Sequence, residues 1–246
     1  MNDNLIPIRH DEQFRFACYH GVSCFNTCCR DLNQSLFPYD ILRLKKGLRL
    51  SSGEFLERYT RQHMGPGSGL PIVTLKPDDA YRLTCPFVSE NGCLVYADRP
   101  ASCRTYPLVR AISRCRESGR ITEGFMLLKE PHCLGHSESQ KQTVGQWIKD
   151  QKIEAYNSVN DKMIQIIGLK NRVLPGPLDL KSRRLVYQAL YDLDNFRKQF
   201  FHSGLLDNID VDPQKLAAAE TDDLALLEVG MEWVRQTLFK VYTVES

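Results

Sequence analysis

The stretch from residue 18 to residue 29 reads CYHGVSCFNTCC and places four thiols within twelve residues. Its cysteines follow the spacing C-x5-C-x3-C-C. A second group, at residues 85–103, follows the spacing C-x7-C-x9-C, and Cys133 stands alone further along the chain. Thiols at this density in a reducing compartment hold a metal more often than they pair with one another. We therefore predict a metal or cluster ligated by thiolates.

The candidate metal ligands are the eight clustered cysteines: Cys18, Cys24, Cys28, Cys29, Cys85, Cys93, Cys103 and Cys133. The ninth cysteine, Cys115, lies outside both groups and is interpreted as a free thiol. Eight ligands divide into two sets of four, but one four-ligand site with spare thiols also fits the spacing. The adjacent Cys28 and Cys29 can serve one metal only in a tight turn, because successive side chains of an extended strand point to opposite faces.

A disulfide framework is the alternative explanation for nine cysteines. The first nine residues have neither the basic segment nor the apolar run of a secretory signal. An odd number of cysteines also fits such a framework poorly. No stretch approaches the roughly 18 consecutive apolar residues of a membrane span. We therefore expect a cytoplasmic protein that has no membrane partner and keeps its thiols reduced.

Composition and charge are those of an ordinary globular protein. The 246 residues are 42% hydrophobic and 25% charged, which is enough to bury a full core. The formal net charge of +2 gives no indication of a nucleic-acid partner. The sequence also lacks the G-x-S-x-G, H-E-x-x-H and P-loop motifs. Conventional hydrolytic catalysis therefore finds no support.

The sequence predicts a division near residue 137, because every cysteine precedes that point and long helix-like segments follow it. We expect residues 1–137 to form a loop-rich, cysteine-ligated metal domain. Residues 138–246 would form a helical C-terminal region packed on it. The predicted fold class is mainly α, with small irregular β structure.

Local patterns predict several elements of the first region. Residues 38–47 begin with proline and end with glycine, the favoured asymmetry of a helix. Residues 51–54 match a capping box before a second helix. Residues 72–75 and 81–83 are predicted to be short strands. Residues 85–103 are rich in turn-forming residues, and we expect a bound metal to organise this loop.

The second region is predicted to be helical throughout. Thr143 is a candidate N-cap, and apolar residues recur at helical spacing from there to Ile167. A further helix is expected over residues 182–201, and Asp212 with Pro213 begins an interrupted last helix. The apolar stripe of that helix is interpreted as a packing face, with a protein partner as the alternative. The stripe consists of Leu224, Leu227, Met231, Val234 and Leu238.

Zinc and an iron–sulfur cluster are the two candidates for the group that the cysteines bind. Structural zinc prefers C-x2-4-C knuckles, and only the pair Cys24 and Cys28 has that spacing. Iron–sulfur ligands tolerate irregular gaps, so we favour one or two [4Fe-4S] clusters, with Zn²⁺ as the alternative. Arg30, Arg99 and Arg104 could balance the negative charge of such a cluster, although surface placement is the simpler interpretation of each.

Three histidines and a glycine-rich segment are further candidates for functional residues. His20, His132 and His136 could each replace a sulfur ligand, but a lone histidine beside a cysteine is more often a hydrogen-bond partner. Residues 65–69 read GPGSG and are interpreted as a flexible connector. They do not follow a clear strand and open a helix, as a dinucleotide-binding loop would.

Several of these segments together resemble a known family. The residues concerned are FAC at 16–18, CFNTCC at 24–29, CPFV at 85–88, GCLVY at 92–96, RPASCRTYP at 99–107, HCLG at 132–135 and TVGQW at 143–147. They are similar to the YkgJ-type CxxCxxCC family of zinc- or iron-chelating proteins. The resemblance covers roughly residues 14–150, and it implies that the clustered cysteines chelate a metal.

The flagellin lysine N-methylases share a similar cysteine pattern. That resemblance implies either a protein methylation dependent on S-adenosylmethionine or radical-type chemistry, at an iron–sulfur centre. The radical-enzyme triplet C-x3-C-x2-C is absent from this chain. Three classes of function therefore remain: a metalloprotein with a redox or accessory role, an enzyme that modifies a protein side chain, and a zinc-stabilised interaction module.

Overall fold

The fold is described from a computed structural model. The structure describes residues 4–30, 32–78, 82–114, 121–202 and 209–239. Helices outweigh strands in these residues, and the strands form small sheets of two or three, so the predicted fold class is confirmed. Among the described helices, none has the combination of length and apolar character that crossing a membrane requires.

The chain divides into two compact units, and each unit is built from two separate segments. The first combines Met1–Leu32 with Pro77–Tyr156, and the second combines Asn33–Lys76 with Asn157–Ser246. The units are thus interleaved along the sequence. The predicted division into a cysteine-rich metal domain at 1–137 and a helical C-terminal region at 138–246 stays a prediction.

The first unit contains the longer strands. β1 (Leu5–Ile8), β8 (Leu108–Arg114) and β9 (Ile121–Leu128) form an antiparallel sheet in the order β1-β9-β8. The remaining pairs are β2 (Gln13–Arg15) with β10 (Lys141–Thr143), and β6 (Val88–Ser89) with β7 (Gly92–Cys93). Short helices are α3 (Ala101–Thr105) and α4 (Val144–Asp150), and single 3₁₀ turns lie at Thr27–Cys29, Tyr96–Asp98 and Leu134–Ser137.

An apolar cluster lies in the core of the first unit. Thr143 Oγ1 accepts a hydrogen bond from Gln146 N–H at 3.1 Å, which confirms the predicted N-cap of α4. The rings of Tyr106 and Trp147 meet Phe16 edge-on, at centroid distances of 5.8 and 5.5 Å. The buried members of the cluster are Ile8, Phe14, Phe16, Leu108, Leu127, Val144, Ile148 and Ile153.

The second unit is mainly helical. Its sheet has the order β3-β5-β4, with β3 at Ser35–Leu36, β4 at Thr60–Met64 and β5 at Pro71–Leu75. Its helices are α1 (Pro38–Leu48), α2 (Ser52–Tyr59), α6 (Leu180–Leu190), α7 (Leu193–His202), α8 (Pro213–Ala219) and α9 (Asp223–Phe239). Helix α5 (Ile153–Val173) begins in the first unit and continues into the second.

Several predicted elements of the second unit are confirmed. Ser51 Oγ accepts from Glu54 N–H, and Glu54 Oε2 accepts from Ser51 N–H at 2.8 Å, as the capping box predicts. Asp212 caps α8, whose first residue is Pro213. Leu227, Met231 and Val234 of the α9 stripe are buried, as a packing face requires. A protein partner at these helices stays a prediction.

Three local predictions were wrong. Helix α1 continues through Gly47 to Leu48 and ends where Arg49 adopts a left-handed conformation. Arg82 and Leu83 lie in a turn, since Leu83 has a φ of 47° that a strand cannot accommodate, and Tyr81 lies outside the described residues. The helix expected over 182–201 is broken after Leu190, and α7 begins at Leu193.

The GPGSG segment at 65–69 connects two strands of one hairpin, β4 and β5. Gly65 N–H donates to Leu70 O at 2.9 Å, and Gly69 N–H donates to Gly65 O at 2.7 Å. Gly69 has a φ of +62°, which favours glycine. The segment is therefore a hairpin loop, and it does not open a helix as a dinucleotide-binding loop would.

Gly230 on α9 allows a close approach of α6. A Cβ at this position would lie 2.3 Å from the carbonyl oxygen of Ala189. We expect Gly230→Ala to lower the free energy of unfolding by about 1–3 kcal/mol, because the α6 backbone has to shift. The matched control is Gly168→Ala on α5, where no atom lies within 4 Å of the added methyl group. Urea unfolding of both variants tests this, and equal stabilities would contradict it.

Candidate metal centre

The first cysteine group is fixed beside the segment that contains Cys133. Ala17 N–H donates to Gly135 O at 3.1 Å. A Cβ on Gly135 would lie 2.6 Å from Ala17 O, so this approach requires glycine. Leu134 N–H donates to Cys24 Sγ at 3.1 Å, which joins residues 110 positions apart in sequence. The first group and the last candidate ligand therefore meet.

The second cysteine group is fixed to the other end of the first group. Cys85 N–H donates to Cys29 O at 2.8 Å. Asn26, in a left-handed conformation with a φ of 66°, donates from Nδ2 to Ser89 O at 2.9 Å. Cys93 lies in the hairpin formed by β6 and β7. The loop predicted at 85–103 is thus mostly irregular, and these backbone contacts hold it against the first cysteine group.

Two buried arginines hold the segment that carries Cys103. Arg104 is 5% exposed, and it donates from Nη1 to Gln151 O at 2.8 Å and from Nε to Arg99 O at 3.3 Å. Arg99 is 8% exposed, and it donates from Nη1 to Tyr96 O at 2.7 Å. Simple surface placement is therefore wrong for both, because their guanidinium groups bind the backbone around the site.

Arg99 also supplies positive charge to the cysteines. Burial is the main influence on the thiols of Cys18 and Cys93 and raises the pKa of each, while the Arg99 charge acts in the opposite direction. The guanidinium carbon lies 3.7 Å from the centre of the Tyr96 ring, in a cation–π contact. Arg30 is exposed. Of the three predicted arginines, Arg99 is therefore placed to stabilise thiolates.

The adjacent Cys28 and Cys29 lie in the tight turn that shared ligation requires. They end the 3₁₀ turn Thr27–Cys29, and Cys29 N–H donates to Asn26 O at 3.1 Å. Their thiols are hydrogen-bonded to each other, which lowers the pKa of Cys28 and raises the pKa of Cys29. Cys28 is therefore the more readily ionised of the two, and the thiolate is the form that binds metal.

All eight candidate thiols interact electrostatically as one group. Burial raises the pKa of Cys18 to about 11, and it also raises the pKa values of Cys85, Cys93 and Cys133. The pKa values of these four thiols, and those of Cys28 and Cys29, are further shifted by the charge or hydrogen bond of other cysteines. The interacting pairs are Cys18–Cys24, Cys18–Cys28, Cys18–Cys133, Cys24–Cys133, Cys28–Cys29, Cys28–Cys85, Cys28–Cys93, Cys29–Cys85, Cys29–Cys103 and Cys85–Cys93.

The donor chemistry of this group fits a soft or borderline metal, since thiolates select zinc and iron–sulfur clusters. In the part of the chain that the structure describes, no three His, Cys, Asp or Glu side chains converge as a metal site. Burial raises the pKa values of Cys18, Cys85, Cys93 and Cys133, which favours their protonated form. Metal binding would have to displace those protons. The eight-cysteine ligand set therefore stays a prediction.

The nearby histidines have other contacts. His136 Nε2 lies 3.0 Å from Leu128 O, and burial lowers the pKa of His136. His132 is exposed and lies 3.6 Å from Glu130. His20 is exposed and packs on the Phe25 ring at 5.5 Å. Each contact agrees with the interpretation of these histidines as hydrogen-bond or packing partners. Cys115 lies outside the described residues.

Two residues that the sequence did not indicate contribute to the site. Gln151 accepts a hydrogen bond from Arg99 through its side chain and another from Arg104 through its carbonyl oxygen. Tyr106 lies beside Cys133, and burial together with that neighbour raises the pKa of its hydroxyl. Tyr106 belongs to the RPASCRTYP segment, so its motif could have indicated it. Nothing in the sequence distinguishes Gln151.

A polar cavity of about 620 Å³ borders the first cysteine group. It lies between the loop at 20–30 and the β6–β7 hairpin. Its lining includes the charged or ionisable residues His20, Arg30 and Glu90, together with Phe25 and Asn26. Among the described residues that line this cavity there is no cysteine, so the cavity lies beside the first cysteine group and does not open onto its thiols.

Cysteines from distant segments, held together by backbone hydrogen bonds and buried arginines, define a metal-chelating class of protein. The model of the CxxCxxCC family, described as a "putative zinc- or iron-chelating domain", matches residues 17–141. That match spans half of the chain, and the protein belongs to this family. The matched residues include all eight clustered cysteines.

Neither the curated proteins nor the solved structures compared with the chain give a match. The resemblance to the flagellin lysine N-methylases therefore has no support from these comparisons.

Proposed function

We propose that the protein holds an iron–sulfur cluster through its clustered cysteine thiolates and has a redox or accessory role in the cytoplasm. The observation that carries this proposal is that hydrogen bonds bring together cysteines from three separate stretches of chain, since Cys85 N–H donates to Cys29 O and Leu134 N–H donates to Cys24 Sγ. Metal chelation itself follows from the family. The choice of an iron–sulfur cluster over zinc is supported by the irregular cysteine spacing.

The surroundings of the thiols support a charged cluster. A cluster with four thiolates carries an overall charge of about −2 and is stabilised by nearby positive groups and N–H donors. The buried Arg99 guanidinium interacts with three of the thiols, those of Cys18, Cys93 and Cys103, and Leu134 N–H already donates to Cys24 Sγ. Arg104 is engaged with backbone carbonyls, so its role is to hold the Cys103 segment in place.

The coupled thiols separate into two sets. Cys18, Cys24 and Cys133 interact among themselves. Cys29, Cys85, Cys93 and Cys103 form the second set, and Cys28 interacts with members of both. We infer two neighbouring centres with Cys28 between them. This arrangement agrees with the division of eight ligands into two sets.

The deciding experiment is an analysis of iron, zinc and acid-labile sulfide in protein purified without oxygen, together with its absorption spectrum. We expect a brown protein with equal amounts of iron and sulfide, and the iron content per chain counts the centres. Stoichiometric zinc without sulfide would replace the cluster by a structural zinc site. Protein free of both metals after anaerobic reconstitution would overturn the proposal altogether.

A further inference from the structure

Lys170 is buried in the second unit, and among the described residues it has no charged partner. It belongs to helix α5, and 0% of its surface is exposed. Its Nζ donates a hydrogen bond to the carbonyl oxygen of Gly176, which is a neutral acceptor. Lysine is almost never fully buried unless an opposite charge is paired with it. A buried lysine that faces a neutral carbonyl group therefore requires an explanation.

Two loops cover the Lys170 amine. One is the hairpin loop GPGSG at 65–69, and the other is the segment LPGPL at 174–178, which follows α5. A Cβ added to Gly69 would lie 2.7 Å from Lys170 Nζ and 2.5 Å from Gly176 O, so the two loops meet at the amine. The middle residues of each loop are exposed. The cover over the amine is therefore thin, and a local movement of either loop would admit water to it.

The surroundings of Lys170 offer no opposite charge. Neither loop contains an ionisable side chain. The residues three and four positions from Lys170 are all apolar: Ile166, Ile167, Val173 and Leu174. Arg172 is exposed, and Asp179 is engaged in capping α6. Within the described residues, burial alone shifts the pKa of Lys170 and lowers it from 10.5.

We propose that the loops at 65–69 and 174–178 form a proton-sensitive cover over Lys170, which is stable when the amine is neutral and weakened when the amine carries a proton. Under the closed cover, a protonated amine is shielded from water and has one neutral acceptor, whereas opening of the loops hydrates the charge. A neutral amine still donates to Gly176 O and gains little from opening. The cover therefore closes more firmly as the pH rises. The proposal concerns the second unit alone and does not rest on the metal centre.

The first test compares the urea unfolding of wild type and Lys170→Met from about pH 7 to about pH 10.5, where an unfolded lysine begins to lose its proton. The folded chain holds the Lys170 proton less firmly than the unfolded chain, so rising pH favours folded wild type. We expect the folded-to-unfolded ratio of wild type, divided by that of Lys170→Met, to rise by up to about tenfold for each unit by which folding lowers the pKa. Other titrations are common to both proteins and cancel in this quotient.

Lys162→Met is the control, because Lys162 lies on the same helix and its side chain is 44% exposed. Its stability curve should run parallel to that of wild type over this pH range. A quotient for Lys170→Met that is independent of pH, or that falls as the pH rises, would overturn the proposal. Should Lys170→Met fail to fold, the titration of the Lys170 Cε resonance in ¹³C-labelled wild type decides instead, and a pKa at or above about 10.4, the value for unfolded lysine, contradicts the cover.

Amide hydrogen exchange at neutral pH locates the effect in the chain. The amides of Gly65 and Gly69 donate hydrogen bonds within the hairpin loop, so their exchange reports on its opening. Because Lys170→Met carries no buried proton, both amides should exchange more slowly in this variant than in wild type at the same pH. Equal or faster exchange in Lys170→Met would show that the loop does not respond to the charge, and the cover would be rejected.

Discussion

Cys28→Ser is expected to reduce the metal content further than any other single cysteine substitution. The Cys28 thiol interacts with Cys18, Cys29, Cys85 and Cys93, so it belongs to both sets of coupled thiols. Serine has no thiolate to offer a soft metal. We expect less than about half of the wild-type metal per chain, as each centre loses a ligand. Metal and sulfide analysis of anaerobically purified protein measures this.

The effect on folding should follow the loss of metal. The apparent binding free energy of a structural zinc site is on the order of 10–16 kcal/mol, and it contributes directly to folding. Cys28→Ser and Cys103→Ser are therefore expected to lower soluble yield together with metal content. Cys115→Ser is the control, since Cys115 lies outside both cysteine groups. Full metal occupancy in Cys28→Ser would remove this residue from the ligand set.

Substitutions in the two sets distinguish two centres from one. If Cys28 lies between two centres, Cys24→Ser and Cys85→Ser should each remove about half of the metal. Their double variant should then remove nearly all of it. If there is one centre that both cysteines bind, each variant alone should lose most of the metal. If one of the two cysteines is a spare thiol, the variant at that position should keep all of the metal. Equal iron and sulfide in what remains would show that the surviving centre is a cluster.

The sequence was sufficient where local chemistry decides the structure. Capping at Ser51, Thr143 and Asp212 depends on residues within one turn, and all three caps are present. The choice of candidate ligands rested on residue type and spacing, which a single sequence displays in full. The fold class followed from periodicity, because helical apolar spacing extends through most of the last hundred residues.

The path of the chain could not be predicted in the same way. The bonds from Cys85 to Cys29 and from Leu134 to Cys24 join segments far apart in sequence. No local pattern encodes such pairings, so the interleaving of the two units was missed. Leu83 was assigned to a strand because leucine and its neighbours suit one, but the turn holds Leu83 at positive φ. Tertiary contacts there override propensity.

The burial of Arg99 and Arg104 could not be predicted from the sequence either. Charged residues are mostly exposed, so surface placement was the reasonable expectation for Arg99 and Arg104. Burial of a guanidinium group becomes favourable only when several acceptors converge on it. Those acceptors are backbone carbonyls at Tyr96, Arg99 and Gln151. Only the folded chain brings them together.

The second prediction concerns a buried lysine in the second unit. The Lys45 side chain is 6% exposed, and its Nζ lies 3.2 Å from Asp194 Oδ2 and 2.8 Å from Asp223 Oδ2. Arg197 donates to Asp223 Oδ1 at 2.6 Å and shares the neutralisation of both carboxylates. Lys45 therefore joins helix α1 to helices α7 and α9 through charge pairs that are largely removed from water.

We expect Lys45→Met to lower the free energy of unfolding by on the order of 3 kcal/mol. Methionine fills the space of the aliphatic stem, but it leaves Arg197 as the cation that faces both partly buried carboxylates, and the Ser52 N–H bond to Asp194 carries no full charge. Lys162→Met is the matched control. Lys162 also pairs with a carboxylate, Glu228 at 2.5 Å, but its side chain is 44% exposed, so a loss below about 1 kcal/mol is expected. If both variants lose similar free energies of unfolding, burial of the Lys45 side chain does not strengthen its ion pairs.

The pH dependence of stability gives an independent check of the same pairs. Burial alone would raise the pKa values of Asp194 and Asp223, but hydrogen bonds and the Lys45 charge more than offset it, so both are lowered from 3.8. A carboxyl group whose pKa is lowered by folding stabilises the protein above its unfolded pKa of about 3.9. That contribution is lost as the pH falls through the lower, folded pKa. Without Lys45 the folded pKa values rise towards the unfolded value, so the stability of Lys45→Met in urea should fall less steeply than that of wild type as the pH drops below about 5. A Lys45→Met curve that is parallel to the wild-type curve below pH 5 would show that the two carboxylates do not depend on Lys45.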